Sequence, residues 1–90
     1  MLGLHIIAEF HGVDPKKLND LEFLRLAIIA ACKKAGAKIV GEVFHKFNPH
    51  GVTAVVAISE SHVSIHTWPE FGYAAVDAFS CRSVNPRLII

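Results

Sequence analysis

The run from Ser59 to Glu70 holds an unusual density of groups that can do chemistry. Ser59, Ser61, Ser64 and Thr67 bring hydroxyls, His62 and His66 imidazoles, Trp68 an indole, Glu60 and Glu70 carboxylates. It is too polar for a plain core strand, and its alternation is too regular for a loop. A serine hydroxyl is a weak nucleophile that must be positioned and assisted by a base. An imidazole moves protons near neutral pH, which makes His66 a suitable assistant to Ser61. Cys81, at the end of the next apolar run, is the other nucleophile of interest.

Each residue also has an ordinary reading. Ser61 alone would be a turn serine, Trp68 before Pro69 a turn anchor, and Phe47 a core side chain. His62 and His66 could share a metal with Cys81. No fourth ligand has sensible spacing and no CxxC pair supplies a zinc framework, so no metal is expected. His5, His11, His45 and His50 read as surface or turn histidines, and Cys32, among helix alanines, as packing. Only the combination in this order lifts Ser61, His66 and Cys81 above those readings.

The elements that must position these groups follow from periodicity. Residues 4–10 alternate with period two, which predicts a strand. Asp14-Pro15 reads as a cap followed by proline at the first helical position. Leu21, Leu24, Ile28, Ala31, Cys32 and Ala35 keep helical spacing, so one helix is expected to run to about Lys34. Lys33 and Lys34 suit its C-terminal dipole, and Gly36 suits the residue that stops it. Residues 37–47 are rich in strand formers, and Asn48-Pro49-His50-Gly51 is a turn cluster. Residues 52–58 form a nearly continuous apolar run, a strand covered on both faces or on one face and a partner. Residues 62–67 alternate again, 69–72 turn, and 73–81 make a last strand. Strands joined in succession by short turns are antiparallel neighbours. The expected fold is α+β, a two-layer sandwich of an antiparallel sheet with helices on one face. Asn85-Pro86 begins what reads as a second helix that the chain does not complete.

The 90 residues bound this to one domain. A hydrophobic content of 52% is high for a small monomer and points to an interface. No apolar run approaches the roughly 20 residues of a spanning helix. Net charge is +1 with mixed signs, which argues against nucleic acid as a partner. No signal-peptide pattern opens the chain, so the expectation is cytoplasmic, with both cysteines free.

Glu60-Ser61-His62, then Ser64-Ile65-His66-Thr67-Trp68-Pro69-Glu70, Gly72-Tyr73-Ala74-Ala75-Val76-Asp77 and Cys81, resemble the prokaryotic S-adenosylmethionine decarboxylases. Ala8-Glu9-Phe10 and Phe44-His45-Lys46-Phe47 fit the same family. Its members usually continue through a second helix and strand, which this chain lacks. The resemblance implies self-cleavage between Glu60 and Ser61 into a β chain, 1–60, and an α chain, 61–90. The Ser61 hydroxyl attacks the preceding carbonyl to give an ester. Loss of the Ser61 α-proton expels the Glu60 carboxylate, and the residue left becomes a pyruvoyl cofactor after ammonia departs. The resemblance assigns His66, and Thr53, to processing. It makes Cys81 the proton donor in decarboxylation, through a Schiff base, and Phe47, Trp68 and Glu70 the contacts of S-adenosylmethionine. It also implies a homodimer and a place in polyamine biosynthesis. Along an unbroken strand Ser61 and His66 point to opposite faces, so a bend or bulge is expected near Ser61. Two alternatives stand: a pyruvoyl-dependent arginine or ornithine decarboxylase of the same fold, and a non-catalytic regulatory subunit.

Overall fold

The computed structural model describes residues 3–59 and 61–81, Cys81 by its backbone alone. Five antiparallel strands form one sheet in the order β1-β5-β4-β3-β2. They are β1 (Gly3–Phe10), β2 (Ile39–Lys46), β3 (Val52–Ile58), β4 (Ser61–Trp68) and β5 (Tyr73–Cys81). Successive strands from β2 to β5 are neighbours, as their short turns require. The first strand instead crosses to pair with the last, Gly3 opposite Cys81 and Phe10 opposite Ala74. This is the expected α+β layering, an antiparallel sheet with helices on one face.

The single helix expected to reach Lys34 is two. Helix α1 (Pro15–Leu18) is capped by Asp14, whose carboxylate accepts from the Lys16 N–H. Helix α2 (Leu21–Lys34) is capped afresh by Asp20, which accepts from the Phe23 N–H. The break has a physical cause in Asn19: its side-chain oxygen accepts the Gly51 N–H at 2.9 Å, tying the inter-helix corner to the entry of β3. At the far end, Gly36 N–H donates to Lys33 O and Ala37 N–H to Cys32 O, the double bond pattern of a Schellman stop. Gly36 takes the positive φ of 79° that this stop requires.

Helices and sheet enclose one apolar layer of Leu18, Leu24, Ile28 and Cys32 against Val52, Val56, Ile58, Val63 and Ile65, with Ala54, Ala74 and Ala78 beneath. The apolar run of β3 is therefore covered on one face only. Its burial alternates, and Val55 on the other face is 40% exposed. Thr67 is the buried polar exception. Its hydroxyl donates to Leu18 O and accepts from the Val52 N–H, both at 2.8 Å, so α1, β3 and β4 are joined inside the core.

Among the described residues no bulge relieves the parity conflict near Ser61. The β3–β4 register runs without a shift from Thr53 opposite His66 to Ile58 opposite Ser61. Ser59 is a turn residue and Ser61 opens the ladder, so β4 itself runs unbent from its first rung. Glu60 and residues 82–90, which include the expected second helix, lie outside the described residues.

Candidate active site

The face of the sheet away from the helices carries the reactive groups. Strand parity puts His5, Ile7 and Glu9 of β1 there, with Asp77 and Phe79 of β5, His62, Ser64 and His66 of β4, and Thr53 and Val55 of β3. Two clusters form on it.

The first surrounds His66. Its Nδ1 lies 2.9 Å from the Thr53 hydroxyl, across the rung that pairs these two residues. A cavity of about 310 Å³ opens beside them, walled by Phe47, Trp68 and Glu70, with His50, Gly51 and Thr67 completing it. Five of the residues singled out in the sequence thus share one cleft. Phe47 and Trp68 are 48% and 41% exposed, so Phe47 is not the core side chain of its ordinary reading. Trp68 leans on Tyr73, with ring centroids 5.4 Å apart, and the His45 ring meets Phe47 edge-on at 4.6 Å. Glu70 sits on a single 3-10 turn (Pro69–Phe71), and its carboxylate pairs with His50 at 3.1 Å. Gly51 lines this cleft at a φ of +111°, where a Cβ would meet the Thr67 carbonyl at 3.2 Å. A side chain there would be strained and crowded together.

Ser61 does not join this cleft. It is the first residue of β4, about 16 Å along the strand from His66 at an extended rise. Its parity is that of the helix-covered face, and its hydroxyl donates to the Ser59 carbonyl at 3.4 Å. The backbone of Cys81 ends β5 at the same end of the sheet as Ser61, since His62 pairs with Phe79. One copy of the chain therefore groups Ser61 with the Cys81 backbone, and Thr53 with His66, at separate places. Cys32 is fully buried, and burial pushes its thiol pKa up, which keeps it out of any nucleophilic role.

The second cluster escaped the reading of the sequence. His5 Nε2 and His62 Nε2 lie 2.7 Å and 2.8 Å from the same Asp77 oxygen, Oδ2. Ser64 donates its hydroxyl to the other oxygen, Oδ1. Burial works to raise the Asp77 pKa, but the hydrogen bonds from Ser64, His5 and His62, and the charge of His62, outweigh it and bring it down to about 2. No local signal in the sequence marks His5 or Asp77. The cue is the pairing of a first strand with a last one, which brings positions 5 and 77 together.

A two-layer α+β protein whose uncovered sheet face carries a hydroxyl–imidazole pair beside an aromatic cleft is the class that fold and site define. A profile of the S-adenosylmethionine decarboxylase family matches residues 4–90. The chain is 54% identical over 86 residues to the S-adenosylmethionine decarboxylase proenzyme of Clostridium tetani, which spans 94% of this chain and 68% of that one. It is 55% identical over 80 residues to the proenzyme of the same name from Caldicellulosiruptor saccharolyticus, covering 89% of this chain and 64% of the relative. The crystal structure of the adenosylmethionine decarboxylase from Aquifex aeolicus superposes with a TM-score of 0.87 at 41% identity, over 98% of this chain and 71% of that one. The chain belongs to the S-adenosylmethionine decarboxylase family. It corresponds to roughly two thirds of the length of these relatives.

Proposed function

We propose that this chain is a self-processing, pyruvoyl-dependent decarboxylase of S-adenosylmethionine, acting in the cytoplasm in polyamine (spermidine) biosynthesis. The observation that carries this is the Thr53–His66 pair set beside a cleft walled by Phe47, Trp68 and Glu70. An aromatic wall suits both adenine and a sulfonium cation, which a π-face attracts. Glu70 can accept hydrogen bonds from ribose hydroxyls once it turns from His50.

Ser61 fits the residue that becomes the pyruvoyl group. It opens β4 directly after a turn, so a cut before it leaves β4 held between β3 and β5 from His62 onward. Its hydroxyl already turns back toward the preceding backbone. In processing, the Ser61 oxygen bonds to the Glu60 carbonyl carbon as the amide C–N bond breaks, and the freed amine takes up a proton. The pyruvoyl group, once formed, supplies an electron sink for the loss of carbon dioxide. Cys81 then returns a proton to the substrate carbon.

Within one copy His66 cannot assist Ser61 across the sheet. We take the active unit to be a homodimer joined through the uncovered faces, with Thr53 and His66 of the partner subunit brought to the hairpin end of β4, where Ser61 opens the strand. Ile7, Val43 and Val55, exposed on that face at 76%, 68% and 40%, supply the apolar contact. Each copy is one domain, processed into 1–60 and 61–90.

Intact mass of the denatured protein tests processing, and release of carbon dioxide from S-adenosylmethionine, arginine and ornithine in parallel tests the substrate. Two fragments divided before Ser61, with release from S-adenosylmethionine alone, are expected. Release from arginine or ornithine would move the substrate. An uncut, inactive chain that works only when mixed with a longer homologue would make it a regulatory subunit.

A further inference from the structure

The second cluster is a three-donor site on a rigid frame. His5, Asp77 and His62 stand on three adjacent strands, β1, β5 and β4. The register sets His5 and His62 on either side of Phe79, with Asp77 two residues back on the same face. Phe79 stands beside both rings. The His62 ring lies nearly parallel to it, at 19° and 6.4 Å between centroids, and His5 leans at 55° and 5.8 Å. The two imidazoles meet edge-on at 6.0 Å. Both present Nε2 to one carboxylate oxygen, and the three donor atoms lie within 4.8 Å of one another. Ser64 holds the other oxygen, so Oδ2 is turned toward the rings. Orientation of a carboxylate by such an outer partner is a habit of metal sites.

We propose that His5, His62 and Asp77 bind a late first-row divalent cation of the zinc type, with further coordination positions left to water. Two imidazoles and one carboxylate are the donor set such ions take, whereas magnesium and calcium prefer oxygen throughout. Tetrahedral zinc holds nitrogen and oxygen donors ~3.3 Å apart, given bonds of about 2.0–2.2 Å. The present separations of 2.7 and 2.8 Å need only widen by rotation of the side chains. On binding, each ring carries its proton on Nδ1, and both Nε2 lone pairs turn to the ion. In a single copy the His5 and His62 side chains are 47% and 43% exposed, so the site is open to solvent there.

This is distinct from the proposed decarboxylase chemistry, and its test does not read activity. The chain is stripped with chelator, then titrated with Zn²⁺ in equilibrium dialysis and with Co²⁺ followed by visible absorption. One ion per chain is expected, with cobalt bands of a nitrogen–oxygen site. His5→Gln and Asp77→Asn should each weaken binding by more than 100-fold, and Ser64→Ala by about 10–100-fold. Circular dichroism of His5→Gln, changed only at an exposed edge position, controls for folding. No stoichiometric binding, binding that survives His5→Gln in the folded protein, or thiolate charge-transfer bands with cobalt would each overturn the site.

Discussion

The two faces of this sheet are built from alternate residues of the same strands, yet they have opposite characters. The helix-covered face is small and aliphatic. Its polar groups, Thr67 and Ser80, are buried, and the Thr67 hydroxyl is bonded at both ends. The uncovered face mixes exposed aliphatics with histidines, hydroxyls and carboxylates, bonded to one another rather than to the backbone. One face is specified by packing, which tolerates no loose polar atom. The other is specified by chemistry and association. Substitutions on the first should read out as stability, and those on the second as processing, binding or assembly.

The sharpest break in that contrast is at Ser61, where the two roles meet. Ser61→Ala should abolish cleavage entirely while leaving the fold in place, checked by intact mass beside circular dichroism. Persistent cleavage would remove Ser61 from the chemistry. On the covered face, Leu24→Ala should cost about 2–5 kcal/mol in urea unfolding, because α2 cannot collapse onto the gap. Thr67→Val keeps the shape but strands the Val52 N–H and the Leu18 carbonyl, and should cost about 1–3 kcal/mol in the same measurement. Asp77 tests the uncovered face by pH. Its carboxyl is lowered from 3.8 to about 2 on folding, so the stability it contributes is present above pH 3.8 and is lost as pH falls toward 2. Asp77→Asn should lower the stability above pH 3.8 and flatten its dependence on pH between 3.8 and about 2, read by unfolding across that range. The smallest effect is expected at Val55→Ala, within about 0.5 kcal/mol for an isolated copy. A larger loss that grows with dilution would show that a partner covers this face.

Much of this was legible in the sequence because it is local. Period-two alternation marked the strands, and the Asp14-Pro15 pair and Gly36 marked helix ends. The cleft residues Phe47, Thr53, His66, Trp68 and Glu70 were singled out through the family resemblance. What was not legible depends on partners distant in the chain. The break at Asn19 comes from its bond to Gly51, and helical spacing on either side of it hides the interruption. His5 and Asp77 look like unrelated surface residues until β1 is laid against β5. The separation of Ser61 from His66 was visible as parity, and the register between β3 and β4 keeps it, with no bulge among the described residues to bring the two together.

The strand order has a thermodynamic consequence. If the backbone is severed before Ser61 as proposed, β4 and β5 belong to one polypeptide and are inserted between β1 and β3 of the other. Neither piece retains a complete sheet. The severed molecule is then a fragment-complementation pair, and its refolding becomes a second-order reaction. Its melting temperature should rise with protein concentration, while that of the uncut Ser61→Ala chain stays fixed if that chain folds as a single copy.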